Sequence, residues 1–208
     1  MPTIETENRI LAETGLTLIA GLDEAGRGAL AGPVVAAAVI LPLDRQDRLE
    51  TLREVDDSKR LSARTRNRLY DLVTTHALAY GVGATSAQVV DQIGIIPATK
   101  QAMQQALGQL TPPAEYLLID GRIRLSNTPL PQQAIIRGDS KSLSIASASI
   151  LAKVTRDQMM VEMDVQFPHY GFARHKGYGT PQHLATIAQH GPSPHHRLSF
   201  SPLRQALV

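Results

Sequence analysis

Residues 18–33 read LIAGLDEAGRGALAGP, an apolar run that ends in two adjacent carboxylates and a glycine-rich turn. Asp and Glu are rarely buried without a partner or a bound cation. The pair Asp23 and Glu24 at the mouth of a hydrophobic strand therefore indicates a functional site, and a divalent metal ion is the simplest compensation for their charge. Neighbouring residues of a regular strand point to opposite faces, so we also expect the strand to be turning already at Glu24.

The apolar stretches around this turn predict the rest of the core. Residues 17–22 and 34–41 have the pattern of two strands joined by the turn, and residues 78–85 of a third, which predicts an antiparallel meander. A helical pattern at 63–76 lies between the second and third strands. After the third strand come two further strand patterns, at 116–119 and 133–136, and helical patterns at 97–110, 143–163 and 183–190. The resulting order predicts an α/β fold with a mixed sheet and helices on its faces.

Composition limits the class of protein. With 208 residues, 43% of them hydrophobic, the chain suffices for one large core. We therefore expect a single domain over residues 1–208, with roughly 165–208 as a C-terminal extension. The sequence has no Cys, which excludes disulfides and thiolate metal sites. It has neither a signal-peptide pattern nor an apolar run long enough to span a bilayer, so a cytoplasmic protein with no membrane partner is expected.

Four carboxylates fall at the ends of predicted elements: Asp23, Glu24, Asp120 and Asp139. Sites in α/β sheets lie at strand ends, so we expect these side chains to converge. Hard oxygen ligands select Mg²⁺ or Mn²⁺ over zinc. A two-metal carboxylate site suits phosphodiester hydrolysis, because one cation activates water and the other stabilises the leaving oxygen.

Ordinary structural roles compete with this interpretation. Asp120 precedes a glycine, as is typical of a turn, and Asp139 precedes a helix, as is typical of an N-cap. The spacing Gly26-x-Gly28-x-x-Ala31 also matches a loose dinucleotide fingerprint, but a strand pattern follows it where that motif requires a helix. Glycines that admit the backbone of a nucleic acid fit the context better.

Six segments, taken in order, resemble the motif set of the bacterial ribonuclease HII family: DEAGRG (23–28), DSKRL (57–61), IDG (119–121), GDS (138–140), ASASILAKVTRD (146–157) and HKGYGT (175–180). The resemblance covers about residues 19–202. It implies a ribonuclease H-like fold, with a mixed five-stranded sheet of three antiparallel and then two parallel strands and a helical C-terminal extension. It also implies metal-dependent cleavage of RNA in RNA/DNA hybrids, and incision 5′ to single ribonucleotides in duplex DNA that leaves 3′-hydroxyl and 5′-phosphate ends.

The resemblance also assigns roles to residues. The catalytic carboxylates, which would bind two Mg²⁺ or Mn²⁺ ions, are Asp23, Glu24, Asp120 and Asp139. The residues that would contact substrate are Gly26, Arg27, Gly28, Ser58, Lys59, Lys176 and Tyr178. Among these, the glycine turn would sense the ribonucleotide 2′-OH and Tyr178 would pack on the sugar of the next deoxynucleotide. The implied partners are RNA/DNA hybrid and ribonucleotide-containing duplex DNA, and the protein is expected to bind them as a monomer. Whether the tail after Pro192 also contacts a sliding clamp stays open.

Several alternatives stay open at this level. The chain is compatible with a non-catalytic binder of hybrid nucleic acid and with a metal-dependent phosphatase. Asp57 or Ser58 is also a candidate N-cap for the helix at 63–76. Lys153 and Asp157, spaced i,i+4, predict an ion pair on a helix surface rather than a metal ligand. The candidate zinc ligands are His183, His190, His195 and His196. Neither an HExxH motif nor any Cys accompanies them.

Overall fold

A mixed five-stranded sheet forms the centre of the molecule in the computed structural model, which describes residues 1–55, 58 and 61–206. Its strands are β1 (Ile19–Ala25), β2 (Val34–Ile40), β3 (Ala79–Thr85), β4 (Tyr116–Asp120) and β5 (Gln132–Ile135). They lie in the order β3-β2-β1-β4-β5. The pairs β1–β2 and β2–β3 are antiparallel, and the pairs β1–β4 and β4–β5 are parallel. The predicted meander and mixed sheet are confirmed.

Helices cover both faces of the sheet and make up the C-terminal extension. They are α1 (Glu5–Thr14), α2 (Gln46–Thr51), α3 (Ala63–His76), α4 (Ala87–Ile93), α5 (Ile95–Leu107), α6 (Leu143–Gln166), α7 (Phe172–His175), α8 (Pro181–His190) and α9 (Leu203–Ala206). Two 3₁₀ turns, Gly138–Ser140 and Pro168–Tyr170, flank α6. In the described part of the chain, none of the helices is long and apolar enough to cross a membrane.

The strand β2 is the most deeply buried element. All seven of its side chains are fully buried, because α5 covers one face and α6 the other. Ala36 and Ala38 belong to the apolar cluster on the α5 side, whereas Ala37 and Val39 belong to the cluster on the α6 side. A strand buried on both faces has a continuous apolar sequence, which is why residues 34–41 could be recognised from the sequence.

Helix α6 lies unusually close to β1. A Cβ atom at Gly21 would overlap the backbone of Ser144 and Ile145. Only glycine permits this approach of helix and strand backbones. The contact sets α6 directly behind the carboxyl end of β1, where Asp23 and Glu24 lie.

The start of α6 is held by α1, an element outside those predicted from the sequence. The hydroxyl of Ser142 accepts a hydrogen bond from Ile145 N–H (3.2 Å) and donates to Glu7 Oε1 (2.6 Å). The same Glu7 oxygen accepts from Ser144 N–H (3.0 Å), and Glu7 is fully buried. A carboxylate at a helix N-terminus is favourable because unpaired N–H groups and the helix dipole point at it. The alternative in which Asp139 caps this helix is therefore wrong, since Ser142 is the cap.

Candidate active site

An open cavity of about 680 Å³ lies at the carboxyl ends of β1 and β4. It is lined by Asp23, Glu24, Ala25, Gly26, Arg27, Gly28, Ser58, Arg66, Asp120, Ser149, Lys153 and Tyr178. Most of the residues selected from the sequence are therefore brought together in one place. Asp139 and Lys176 lie outside this lining, and Lys59 lies outside the described residues.

Asp23 is the buried centre of the site. Its side chain is only 4% exposed, and its Oδ1 accepts a hydrogen bond from Glu24 N–H (2.7 Å). Burial raises the pKa of Asp23 well above its usual range, and the nearby charges of Glu24 and Asp120 raise it further. A hydrogen bond from Ser149 acts in the opposite direction. Such crowding of carboxylates is what a cation between them relieves.

Glu24 lines the same cavity by a different route from the one expected. The strand β1 stays paired with β2 through Ala25, so the expectation that the strand already turns at Glu24 is wrong. Asp23 and Glu24 therefore alternate across the strand. Both still line the cavity, because it opens around the end of β1. Arg27 Nη1 donates to Glu24 Oε1 (2.9 Å) and partly compensates its charge.

Asp120 and Asp139 are joined by a tight connection. Asp120 ends β4, and its Oδ1 accepts a hydrogen bond from Gly138 N–H (2.6 Å). Asp139 follows in the 3₁₀ turn and is 6% exposed. Within residues 1–55, 58 and 61–206, no three His, Asp or Glu side chains are grouped closely enough to hold a metal ion as they stand. Asp23, Glu24 and Asp120 share one cavity, and their roles as metal ligands, like that of Asp139, stay predictions.

Ser58 is connected to Asp23 through a second serine. The hydroxyls of Ser58 and Ser149 are 2.9 Å apart, and Ser149 hydrogen-bonds Asp23. Arg66 of α3 donates to the Ser58 carbonyl oxygen (2.9 Å) and holds this segment in place. The alternative in which Ser58 caps α3 is wrong, because Ser62 accepts the capping bond from Thr65 N–H (3.1 Å). The other candidate cap, Asp57, lies outside the described residues.

Two buried arginines hold the glycine turn from behind. Arg156 is fully buried, and its Nε and Nη2 donate to the carbonyl oxygens of Pro33 (2.9 Å) and Ala31 (3.1 Å). Arg197, also fully buried, donates to the carbonyl oxygens of Gly32 (2.9 and 3.1 Å) and Arg27 (2.9 Å). The turn that lines the cavity is thus fixed by side chains from two distant parts of the chain.

These arginines bring positive charge close to the turn and to Tyr178. The Arg156 guanidinium carbon lies 5.4 Å from the centroid of the Tyr178 ring, within cation–π range. Burial, and then the charge of Arg156, lowers the pKa of Arg197 to about 10, so Arg197 stays charged at neutral pH. Burial also lowers the pKa of Arg156. Gly26 has φ +89°, and a Cβ atom there would overlap Arg156 Nε. Position 26 therefore requires glycine for two independent reasons.

The polar face of α6 was the main omission of the sequence analysis. Ser149, Lys153 and Arg156 follow the spacing i, i+4, i+7, which places them on one side of the helix. Two members of that polar stripe, Ser149 and Lys153, interrupt the largely apolar run 146–154 and were the signal available in the sequence. The predicted Lys153–Asp157 ion pair is confirmed at 2.8 Å, but Lys153 also lines the cavity.

Lys176 lies beside the site rather than in it. Its Nζ donates to the Ala173 carbonyl oxygen (2.5 Å), and the side chain lines a separate pocket with Arg66 and Asp157. Burial lowers the pKa of Lys176. Its predicted contact with substrate is not evident from this position.

A chain of histidines holds the backbone of Tyr178. Because the Tyr178 carbonyl only accepts, His183 carries its proton on Nδ1 and donates to it (2.9 Å). His183 Nε2 then accepts from His196 Nε2 (3.0 Å), and His196 Nδ1 accepts from Ser193 N–H (2.8 Å). All four ring nitrogens are used by two neutral imidazoles. In the described ranges there is no group of three metal-ligating side chains here either, so the zinc hypothesis finds no support.

This arrangement predicts a loss of stability in mild acid. Burial, and then the charge of His183, lowers the pKa of His196 from 6.5 to about 4. The stabilisation is complete above pH 6.5 and is lost as the pH falls toward 4, because the unfolded chain takes up the proton first. We expect His196 to account for about 2 kcal/mol of the decrease in unfolding free energy between pH 7.5 and 5.

Urea unfolding of the parent and of His196→Gln at the two pH values measures this contribution of His196 to the free energy of unfolding. The variant should show the smaller decrease, whereas His76→Gln, at the end of α3, should behave like the parent. Equal decreases in the parent and in His196→Gln would contradict the assignment.

Comparisons with known proteins agree with this architecture. The family model described as ribonuclease HII matches residues 20–202. A ribonuclease HII of Geobacter metallireducens is 54% identical, over 96% of this chain and 91% of its own. The Archaeoglobus fulgidus ribonuclease HII, solved in a complex with PCNA, superposes with a TM-score of 0.74 at 28% identity, over 88% of this chain and 95% of its own. The Bst ribonuclease HIII, solved with Mn²⁺, shares the fold with a TM-score of 0.69 at 18% identity, over 95% of this chain and 72% of its own.

The matched region contains the sheet, the cavity and the extension that carries Tyr178 and Arg197. The identity to the Geobacter enzyme extends over nearly the whole of both chains. This chain belongs to the ribonuclease HII family and is a nuclease of the ribonuclease H type.

Proposed function

We propose that this protein cleaves the RNA strand of RNA/DNA hybrids and cuts 5′ to a single ribonucleotide embedded in duplex DNA, leaving 3′-hydroxyl and 5′-phosphate ends. One observation carries the proposal: carboxylates, a glycine turn and an aromatic ring line a single open cavity. The carboxylates suit phosphodiester hydrolysis. The turn and the ring suit recognition of a sugar-phosphate backbone without reading bases.

We propose that Asp23, Glu24 and Asp120, together with Asp139 in the adjoining turn, hold Mg²⁺ or Mn²⁺, with two ions present during catalysis. The chemistry of the donors fits, because they are all carboxylate oxygens. Burial, and then the charges of Glu24 and Asp120, raises the pKa of Asp23, and a cation would offset that crowded negative charge. When bound, such ions supply Lewis-acid activation of the phosphate and of a water molecule. Mn²⁺ was present in the related ribonuclease HIII structure, which supports this choice of metal.

The protein groups orient the substrate around these carboxylates. At Gly28, none of the described residues beyond its chain neighbours comes within 4 Å of a Cβ position, which leaves room for a nucleotide backbone to approach the turn. Backbone amides at such a turn can hydrogen-bond a 2′-OH, which is the group that separates RNA from DNA. Arg27, Arg66 and Lys153 line the cavity and bring positive charge to the phosphates. Ser149 and Ser58 keep the Asp23 carboxylate oriented through their hydroxyls.

The experiment that tests the proposed activity uses an end-labelled RNA/DNA hybrid with Mg²⁺, Mn²⁺ or EDTA, beside all-DNA and all-RNA duplexes. We expect cleavage of the RNA strand of the hybrid only, and only with metal. Binding without cleavage in either metal would favour the non-catalytic alternative. Release of inorganic phosphate from small phosphorylated molecules, with no cut strands, would favour the phosphatase.

Tyr178 provides a test of sugar recognition. Its ring is 39% exposed in the cavity, while its backbone and ring face are held by His183 and Arg156. Tyr178→Ala should lower kcat/KM on a single-ribonucleotide duplex roughly ten-fold or more, because stacking on an aromatic ring is worth about 1–3 kcal/mol. Tyr178→Phe should stay within about two-fold of the parent, because it keeps the ring. Equal losses in the two variants would assign the role to the hydroxyl instead and would contradict packing on the sugar.

We further propose that residues 1–208 act as one catalytic domain in a monomer, and that the tail after Pro192 contacts a sliding clamp. The Archaeoglobus ribonuclease HII in complex with PCNA supports the clamp contact by analogy. Light scattering of the full chain, alone and mixed with a clamp protein, measures both properties.

A further inference from the structure

We propose that a basic groove on the β4–β5 side of the carboxylates binds the sugar-phosphate backbone of the duplex. The proposal rests on the proposed function and extends it, because it assigns part of the substrate to a second surface. The groove has a volume of about 420 Å³. The side chains that define it are Arg27, Lys100, Arg122, Arg124, Ile96 and Ile136.

The groove is continuous with the candidate active site. Arg27 lines both the groove and the cavity that contains the carboxylates. Asp120 is the last residue of β4, and Arg122 follows it after one glycine. A nucleic-acid backbone held at the carboxylates would therefore enter the groove within a short distance. The groove leads away from the carboxylates on the side opposite to Arg66 and Lys153. The carboxylates therefore lie between two cationic surfaces.

The cations of the groove are held on a well-anchored segment. Arg122 and Arg124 are exposed, whereas Ile123 and Leu125 between and after them are buried, at 6% and 2% exposure. The Gln132 side chain bonds both the N–H and the carbonyl of Leu125 (2.8 Å each). The two guanidinium groups therefore start from a fixed backbone, which lowers the entropy lost when they bind a ligand.

Three of the four cations of the groove have no ion-pair partner among the described residues, whereas Arg27 pairs with Glu24. Across residues 1–55, 58 and 61–206, no Asp or Glu lines the groove, and Lys100, Arg122 and Arg124 form no ion pair. By contrast, Arg66 and Lys153 on the other side of the carboxylates both lie near Asp157, at 3.9 and 2.8 Å. Unbalanced cations on a concave surface attract anions strongly. The groove is thus better suited to phosphates than the opposite side.

The composition of the groove points to a polynucleotide rather than to a single small anion. Its cations come from three separate elements: the turn after β1, the first turns of α5 and the loop after β4. Ile96 and Ile136, which are 40% and 53% exposed, lie among them and offer apolar contact to sugars. The backbone of a nucleic acid alternates charged phosphates with less polar sugars. A surface on which cations and apolar side chains are interspersed is complementary to that pattern.

The test compares Arg122→Ala/Arg124→Ala with the control Arg45→Ala/Arg48→Ala. Arg45 directly precedes α2 and Arg48 lies within it, and neither lines the groove or the candidate active site. Binding of a fluorescent RNA/DNA hybrid is measured in EDTA over a series of salt concentrations. The groove variant should bind on the order of ten-fold more weakly at low salt. The slope of log K against log salt should decrease in magnitude by about 1.4–1.8, because about 0.7–0.9 is lost per phosphate contact. Arg122→Lys/Arg124→Lys should recover most of this slope, since it keeps the charge.

If the groove variant has the same affinity and the same salt slope as the control, the proposal is overturned. Binding of an acidic peptide is measured in parallel, and a loss of affinity for the peptide equal to the loss for the hybrid would also overturn it. Failure of the groove is distinguishable from failure of the proposed activity. If the parent cleaves the hybrid and the groove variant binds it normally, only the role of the groove is ruled out. If the parent cleaves no hybrid, the proposed activity is ruled out, whatever the binding of the variant.

Discussion

Asp120→Asn abolishes hybrid cleavage, with a loss on the order of 1000-fold or more, and leaves hybrid binding largely intact. The amide is nearly isosteric, so its oxygen can still accept from Gly138 N–H and keep the connection after β4. What disappears is one of the negative charges that crowd around Asp23. The site then loses one of its proposed metal ligands, while the removal of a negative charge favours the binding of phosphates.

The control for this variant is Asp47→Asn, which changes an exposed carboxylate of α2 that pairs with Arg45. It should cleave like the parent. Thermal unfolding of both variants shows whether the fold is kept. An Asp120→Asn enzyme with more than a tenth of the parent rate, or one that loses binding together with the fold, would refute the assigned role.

Gly26→Ala lowers kcat/KM on a single-ribonucleotide duplex about 100-fold. The added Cβ overlaps Arg156 Nε, and the φ of +89° is strained for alanine. Either the turn moves or Arg156 leaves its place below the ring of Tyr178. A displacement of about 1 Å at a substrate-positioning element is enough for a loss of this size.

Gly15→Ala is the matched control. Gly15 also has a positive φ (+74°), but it ends α1, and the added Cβ meets no other part of the described chain within 4 Å. This variant carries comparable backbone strain without the overlap, so its cleavage rate should equal that of the parent. Near-parent activity of Gly26→Ala in the same assay would contradict the account of the turn.

The sheet and most of the site were predictable because their signals are local. The seven apolar residues of β2 reflect burial on both faces, and the carboxylates of Asp23 and Asp120 directly follow apolar strand residues. The exact end of β1 was not predictable, because its ladder with β2 continues past the two acids to Ala25. Strand ends depend on the partner strand, which the local pattern does not contain.

The supports of the site escaped the sequence analysis because they are tertiary. Arg197 donates to the carbonyl of Arg27, a residue 170 positions away. Glu7 fixes the start of α6 over a separation of 135 residues. Neither contact leaves a periodic pattern. The sequence alone does not distinguish a buried arginine from an exposed one. The structure shows that Arg156 is buried and that it hydrogen-bonds the glycine turn.

Mapping the cut in a DNA duplex that contains one ribonucleotide tests the proposed cleavage most directly. The parent enzyme is incubated with Mg²⁺ or Mn²⁺ on substrate labelled at either end, and the product termini are identified by their sensitivity to phosphatase and to ligase. We expect one metal-dependent cut on the 5′ side of the ribonucleotide, with 3′-hydroxyl and 5′-phosphate ends. A cut on its 3′ side, a cut in the all-DNA control, or no cut with either metal would contradict it.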